Sequence, residues 1–205
     1  DFSLTDSQKL LQDSARRFFE NELGPLSAEC DEQQRFPAEI VPKMAAQGFM
    51  GVFVPVEYGG AGGGNMEWVV VMEELGRVDA AMGISLLGHC HAVRAILLSG
   101  SEAQKKKRLP RLASGGALAA FALTESDAGS DVAAIATRAE KRGGEYILNG
   151  SKAFISNVGA ADVYVAFAKT DPSKGKNGIS GFILEKDFPG LRPGKKENKC
   201  GVRAS

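Results

Sequence analysis

The chain has 205 residues, of which 43% are hydrophobic and 24% charged, which is enough to fill one large domain or two small ones. Because 25 basic residues balance 25 acidic ones, the chain lacks the charge signature of a protein that binds nucleic acid or an anionic membrane. Three widely spaced cysteines, Cys30, Cys90 and Cys200, argue against a disulfide framework and indicate a reducing compartment.

Targeting and membrane signals are not recognisable in the sequence. No run approaches the roughly 20 uninterrupted apolar residues of a membrane span. The chain opens on Asp1 without a secretory or transit segment, so any targeting piece is expected to have been removed or never to have existed. We expect a protein that is not secreted, cytoplasmic if bacterial and in the mitochondrial matrix if eukaryotic.

The first half of the chain is predicted to be helical. Thr5 and Gln8 have the spacing of a capping box, and the helix that follows is expected to end at Gly24-Pro25. A second helix is predicted from Pro37 to Gly48, although Pro42 lies inside it.

Three further helices are predicted after a glycine-rich loop at residues 59–64. Asn65 is expected to cap the first, an apolar helix that runs to Val78. The second covers about residues 84–98. Ser101 and Gln104 form another capping box, which begins a short helix ending at Pro110.

From Ala117 onward, short β-rich runs replace the helical pattern. The runs cover residues 117–123, 132–140, 145–148, 152–156, 162–169 and 178–184. Asn149-Gly150 predicts a hairpin turn between two of them. Because helices precede strands instead of alternating with them, the order predicts an α+β protein, with an all-α domain at 1–116 and a β domain at 117–205.

Most common chemical motifs are absent. The sequence contains no dinucleotide-binding or P-loop glycine pattern, no C-x-x-C and no nucleophile elbow. His89 and His91 flank Cys90, but residues two apart on a helix point about 200° from each other, so no metal site is predicted. The basic run 105–108 could hold a phosphate, yet such runs are typical of a solvated helix face.

Two segments favour a ligand site. Residues 121–131 run from a strand into a loop of small residues, whose bare amides and hydroxyls could hold a pyrophosphate. Residues 152–157 offer an aromatic ring beside a hydroxyl and an amide, which suits a flat heterocycle. From the residues alone, ordinary turns remain the alternative.

These segments, FALTESDAGSD and LNGSKAFISN, with GISGFILE and PGLRPGKKENKCGVRAS after them, closely resemble the acyl-CoA dehydrogenase family. Upstream, FPAEIVPKMAAQGFMGVFVPVEYGGAG and SEAQKKKRLPRLASG resemble the family's N-terminal helical domain. The ending is most similar to short-chain members. The resemblance implies an N-terminal helical domain, a middle β domain of two small sheets and a C-terminal four-helix bundle, before which this chain stops.

The resemblance also implies a function. It implies non-covalent FAD, an acyl-CoA substrate, a homotetramer, and electron-transfer flavoprotein as the partner that receives the electrons. The implied reaction is α,β-dehydrogenation of an acyl-CoA thioester to a trans-2-enoyl-CoA. Because the family's glutamate base is expected in the C-terminal domain, beyond Ser205, and Glu125 does not match it, no catalytic residue is predicted. We expect residues 1–205 alone to bind FAD poorly and to lack dehydrogenase activity.

Carried over residue by residue, the resemblance implies a set of flavin-binding side chains and amides. The residues that would line the flavin ring are Phe121, Leu123 and Thr124. A second group would supply an aromatic side chain that packs on the flavin and a hydroxyl near its N5 atom, and consists of Phe154, Ile155 and Ser156. Those that meet the pyrophosphate are Gly129 and Ser130, of which Ser130 also touches the acyl-CoA.

The sequence departs from the family pattern at a few positions without abolishing the site. Ser126 stands where the family commonly has Pro, Phe154 where it often has Trp, and Ser156 where it has Thr. Two alternatives stay open: an acyl-CoA oxidase or another flavoenzyme on the same scaffold, and a non-catalytic binding or interaction fragment.

Overall fold

The computed structural model describes residues 3–205 and places a helical region before a β-sheet. The α-helices are α1 (Asp6–Phe18), α2 (Gly24–Glu32), α3 (Ile40–Ala46), α4 (Asn65–Val78), α5 (Ala80–Ser99) and α6 (Glu102–Ala113). The strands are β1 (Ala119–Ala122), β2 (Arg138–Arg142), β3 (Glu145–Asn149), β4 (Val163–Lys169) and β5 (Ile179–Glu185). This order confirms the α+β class, and no helical bundle follows the sheet within the described residues.

The predicted end of the first helix at Gly24-Pro25 is wrong. The capping box of Thr5 and Gln8 does begin α1, but a π-helical turn at Phe19–Leu23 joins α1 directly to α2. Pro25 lies in the first turn of α2, where the amide proton that proline lacks is not needed for a hydrogen bond within the helix.

Two other helix starts differ from the prediction. Helix α3 begins at Ile40, so that Pro42 falls in its first turn, and Gly48 follows its end with a left-handed φ of 77°. Helix α4 is capped at Gly64, whose amide donates to Glu67 Oε2 at 2.7 Å, and Asn65 is instead its first residue.

Helices α5 and α6 are both longer than predicted. Helix α5 begins at Ala80 because Asp79 caps it, accepting a hydrogen bond from the Met82 amide at 2.8 Å. Helix α6 starts at the predicted Ser101 cap but continues past Pro110, since Leu109 and Leu112 are buried in the core and hold its last turn.

The sheet is mixed and consists of two unequal parts. Strand β4 pairs parallel with β1, starting at Ala119 opposite Val163, and antiparallel with β5. Strands β2 and β3 form an antiparallel hairpin that joins β4 through a single pair, Arg138 and Lys169.

The predicted hairpin at Asn149-Gly150 is wrong, because the β2–β3 hairpin turns at Gly143-Gly144. Residues 150–157 are not a strand, and the Ala153 amide donates to the carbonyl oxygen of Thr124, two residues beyond the end of β1. The predicted run at 132–140 is only partly a strand, because Val132–Ala134 is a short 3₁₀ turn.

One hydrophobic core joins the helical region to the sheet. Helix α5 packs against β1, and the main cluster includes Leu86 and Val93 of α5 together with Ala119, Val163 and Val165 of the strands. By length and composition alone α5 could cross a membrane, but 56% of that stretch is buried inside the described structure. We therefore interpret α5 as a core helix.

The glycine-rich loop is packed too closely for a side chain at Gly60. A Cβ atom there would lie 2.1 Å from the Val54 carbonyl oxygen, so we expect Gly60→Ala to lower the free energy of unfolding by about 1–3 kcal/mol. Urea unfolding measures the change. Gly76→Ala on α4 is the control, because its Cβ would meet no atom within 4 Å, and it should be neutral or stabilising. Equal stability of the Gly60→Ala variant and the unchanged protein would contradict the close packing.

Candidate functional site

The two segments singled out in the sequence lie side by side. The Ala153 amide donates a hydrogen bond to the Thr124 carbonyl oxygen at 2.9 Å. The Lys152 ammonium donates to the Leu123 carbonyl oxygen, also at 2.9 Å. These bonds fix the loop at 150–157 against the chain that leaves β1, although about thirty residues separate the two segments in the sequence.

A buried carboxylate, that of Glu125, ties a third segment to this junction. Its Oε1 accepts from Lys152 Nζ at 2.7 Å and from the Thr137 amide at 3.0 Å, and its Oε2 accepts from the Ala136 amide at 2.5 Å. The Thr137 hydroxyl also donates to it. Glu125 is 8% exposed, so the carboxylate is shielded from water and is fully hydrogen-bonded.

The hydrogen bonds to Glu125 keep it ionised. Burial alone would raise its pKa, but the donors, led by Lys152 and the Thr137 hydroxyl, outweigh burial and lower the pKa of Glu125 to about 2. A carboxylate with so low a pKa is a weak base. Glu125 is therefore a structural anion in this site.

Phe154 is the exposed centre of the second segment. Its side chain is 77% exposed, and its φ of 55° lies in the left-handed region that phenylalanine rarely adopts. Holding a large apolar ring in water on a strained backbone is unfavourable. The ring is therefore accessible to a ligand.

The residues after Phe154 are packed against the protein. Ile155 packs on the small cluster of Ala120, Ala161 and Tyr164 behind β1. Ser156 is half-buried and faces α5, where a Cβ on Gly88 would lie 3.3 Å from the Ser156 Cβ. The absence of a side chain at Gly88 therefore makes room for Ser156.

Asn157 anchors the end of the segment. It is buried with a φ of 68°, and its Nδ2 donates to the Ser85 carbonyl oxygen at 2.8 Å and to the Ala119 carbonyl oxygen at 2.9 Å. These two bonds connect the loop to α5 and to β1.

Phe121 and Leu123 lie on the first segment. The Phe121 ring is half-buried between His91, with ring centroids 5.5 Å apart, and Phe167, with centroids 5.1 Å apart. Leu123 and Thr124 are also half-buried and lead into Glu125. Of the predicted site residues, the structure thus joins the segments of Leu123–Thr124 and Phe154–Ser156.

Gly129 and Ser130 lie on an exposed turn beyond Glu125. The amides of Glu125 and Ala128 each donate to the other residue's carbonyl oxygen, which closes the turn. Both Gly129 and Ser130 are exposed, and a Cβ on Gly129 would meet no atom within 4 Å. The backbone at Gly129 is open to a ligand, while no hydrogen bond connects it to Phe154–Ser156.

The His89-Cys90-His91 run does not form a cluster. His89 is fully buried and its Nδ1 accepts from the Ala119 amide at 3.1 Å, whereas His91 contacts Phe121. Burial lowers the pKa of His89 to about 4 and raises the pKa of the Cys90 thiol to about 12, so the histidine is neutral and the thiol protonated near pH 7. Among residues 3–205 no group of three or more His, Cys, Asp or Glu could hold a metal ion.

The last residues of the chain are bound to one another, and Arg203 connects them to the helical region. The Ser205 hydroxyl donates to the Val202 carbonyl oxygen at 3.1 Å and accepts from Lys199 Nζ at 2.5 Å. Two residues earlier, the Arg203 amide donates to Asp31 Oδ1 on α2 at 2.7 Å. The glutamate base expected beyond Ser205 lies outside the described residues, so its position stays a prediction.

Comparison with known proteins assigns the chain to a family. The family model described as "Acyl-CoA dehydrogenase, N-terminal domain" matches residues 5–116, and that described as "Acyl-CoA dehydrogenase, middle domain" matches residues 120–205. The chain belongs to the acyl-CoA dehydrogenase family. Enzymes of this family are flavin-dependent oxidoreductases that act on CH–CH groups.

Individual relatives agree with this assignment. The chain is 46% identical to "Acyl-CoA dehydrogenase, short-chain specific" of Clostridium acetobutylicum, over all of this chain and 54% of that protein. Butyryl-CoA dehydrogenase from Megasphaera elsdenii has a similar structure, with a TM-score of 0.94 at 41% identity, over all of this chain and 55% of that one. A structure of PigA with FAD and proline matches with a TM-score of 0.92 at 36% identity, over 98% of this chain and 54% of that one. The chain therefore spans about half the length of the relatives it matches.

Sequence reasoning missed the residues that hold this acyl-CoA dehydrogenase segment in place. The sequence presents Lys152 and Asn157 as part of a segment suited to a flat heterocycle, with no anchoring role, and Glu125 only as a carboxylate that matches no catalytic base. One signal was available, because a lysine and a glutamate next to apolar, β-rich segments are commonly paired when they are buried.

The low pKa of Glu125 predicts an acid-sensitive contribution to stability. Because the folded pKa is about 2 and the ordinary value is 4.5, the contribution is complete above the ordinary value and is lost as the pH falls toward 2. Glu125→Gln should lower the free energy of unfolding at neutral pH by about 3 kcal/mol, at roughly 1.4 kcal/mol per pKa unit, and should flatten its decline in acid.

Urea unfolding at a series of pH values measures both effects. Glu140→Gln on β2 is the matched control, because Glu140 is exposed, and its effect should stay within about 0.5 kcal/mol. A Glu125→Gln variant whose stability falls in acid as steeply as that of the unchanged protein would show that Glu125 does not carry the effect.

Proposed function

We propose that this chain supplies the N-terminal and middle parts of an FAD-dependent acyl-CoA dehydrogenase. The enzyme would convert an acyl-CoA thioester to a trans-2-enoyl-CoA and pass the electrons to electron-transfer flavoprotein. The helical domain would be residues 1–116 and the β domain residues 117–205. The observation that carries the proposal is the exposed Phe154 ring, held by the hydrogen-bonded junction between Leu123–Glu125 and Lys152–Ala153.

The residues at this junction fit a flavin. An exposed aromatic ring at Phe154 can cover a flat heterocycle, and the half-buried hydroxyls of Thr124 and Ser156 can hydrogen-bond its polar edge. The open backbone at Gly129 and the exposed Ser130 hydroxyl suit a pyrophosphate, which needs donors without bulky side chains. These features support FAD as the cofactor.

Each predicted residue has a binding or orienting role in this proposal. Phe121, Leu123 and Thr124 would line the ring from the β1 side, and Phe154, Ile155 and Ser156 from the other segment. Gly129 and Ser130 would hold the pyrophosphate, with Ser130 also meeting the acyl-CoA. When bound, FAD would supply the redox chemistry, whereas the protein supplies orientation and excludes water.

The proton-accepting group is not among the residues at this site. The reaction needs a carboxylate to remove a weakly acidic α-proton. Glu125 cannot serve, because its low pKa and its four donors commit it to the structure. We therefore propose that the base lies beyond Ser205, and that residues 1–205 alone bind FAD weakly and do not turn over acyl-CoA.

The flavin site is tested by titrating the protein of the full open reading frame that contains residues 1–205 with FAD. Phe154→Ala should weaken FAD binding by about tenfold, because the ring's stacking and burial contribute about 1–2 kcal/mol. Quenching of flavin fluorescence measures the affinity. Leu98→Ala is the control, because Leu98 is 76% exposed at the end of α5, almost as exposed as Phe154, and should leave the affinity unchanged. Equal affinity in the two variants would argue against flavin contact at Phe154.

The reaction is tested on the full open reading frame that contains residues 1–205. We expect a yellow protein whose flavin is bleached anaerobically by a short-chain acyl-CoA and is reoxidised slowly by oxygen. Absorbance spectroscopy with a panel of acyl-CoA thioesters identifies the preferred chain length. Rapid formation of peroxide would instead identify an acyl-CoA oxidase on the same scaffold.

A further inference from the structure

The Phe154–Ser156 segment is fixed at both of its ends by side chains that lie outside the predicted flavin contacts. At one end Lys152 Nζ bridges the Leu123 carbonyl oxygen and Glu125 Oε1. At the other end Asn157 Nδ2 bridges the carbonyl oxygens of Ser85 and Ala119. Between these ends, the Ala153 amide also donates to the Thr124 carbonyl oxygen of the first segment.

The end at Lys152 is shielded from water. The Lys152 and Glu125 side chains are 12% and 9% exposed. Removing one partner of a shielded, hydrogen-bonded ion pair leaves the other charge without compensation. The pair therefore holds Lys152, and with it the start of the segment, in one position.

The end at Asn157 is held although it leaves a polar atom unpaired. Among the described residues, Asn157 Oδ1 is buried without a hydrogen-bond partner, which costs about 1–3 kcal/mol. Asn157 also has a φ in the left-handed region, which asparagine tolerates better than most residues. We therefore interpret Asn157 as a residue that fixes the geometry of the loop at some cost in the stability of the protein.

We propose that Lys152, Glu125 and Asn157 are positioning residues, which set the strained Phe154 backbone and the Ser156 hydroxyl in the geometry that receives the flavin. The inference rests on the proposed function and adds the residues that prepare the site before any flavin binds. Glu125 also fixes the amides of Ala136 and Thr137, so it connects the β2 side of the sheet to the same junction.

The inference is tested by FAD affinity and by the circular dichroism of the bound flavin, measured on the full open reading frame that contains this chain. Lys152→Met should weaken FAD binding by about tenfold, comparable to the loss of an outer-shell hydrogen bond at a bound cofactor, and should change the flavin dichroism. Lys152→Arg keeps the charge and should recover most of the affinity and the original spectrum. Asn157→Ala should resemble Lys152→Met.

Two further variants separate positioning from folding. Lys174→Met removes an exposed ion pair with Asp171, 3.2 Å apart, and should change neither readout. Glu125→Gln removes the other partner of the ion pair and should weaken FAD binding as Lys152→Met does. Asn157→Ala leaves no buried charge unpaired, so it carries the test if either of these variants does not fold. In the flavin-free protein, hydrogen exchange at the amides of residues 153–157 should become faster in Lys152→Met and in Asn157→Ala, but not in Lys174→Met.

The outcomes distinguish this inference from the proposed function. An unchanged protein that does not bind FAD would overturn both. The positioning role alone would be overturned if the unchanged protein binds FAD and the Lys152→Met and Asn157→Ala variants bind it equally well, with the same dichroism. Weaker binding that Lys152→Arg does not recover at all would also contradict the role given to the charge of Lys152.

Discussion

The carboxylate of Glu125 is the constraint on which the geometry of the candidate site depends. It is shielded from water and accepts hydrogen bonds from Lys152, from Thr137 and from the Ala136 amide. Three stretches of chain, the one that contains Glu125 and two that lie 11 and 27 residues after it, therefore meet at one anion. A buried charge is stable only when its partners are complete, so the three stretches are held in one arrangement.

This junction can hold the strained loop at residues 150–157 because the helical region and the sheet share one hydrophobic core beside it. Helix α5 belongs to the helical region, yet it packs on β1 and supplies the Ser85 carbonyl oxygen that Asn157 binds. The small residue Gly88 lets Ser156 approach the same helix. The helical region thus contributes directly to the surface that presents Phe154. The two parts of the chain that match the family models, residues 5–116 and 120–205, are therefore structurally interdependent.

Local signals in the sequence predicted local structure well. The capping boxes at Thr5 and Ser101 begin helices as expected, because both partners of such a box lie within one turn. Signals that tertiary packing can override were less reliable. Pro110 does not end α6, since buried neighbours hold the last turn. Asn149-Gly150 does not form a hairpin, since the loop after it is bound through Ala153 to Thr124 and through the Asn157 side chain to Ala119 of β1. The flavin-site segments were visible as motifs, but the pairing of Lys152 with Glu125, 27 residues apart, could not be deduced from spacing.

The exposure of Phe154 follows from the same hydrogen bonds that hold the loop. A loop free to relax would turn an apolar ring inward and leave the left-handed region, because both changes are favourable. Here Lys152 and Asn157 fix the loop on either side of the ring, and Ile155, the next residue, is already packed behind β1. The ring therefore stays outward because the loop that carries it is fixed on both sides. A surface formed in this way is ready before its ligand arrives, which lowers the ordering cost of binding a rigid, flat molecule.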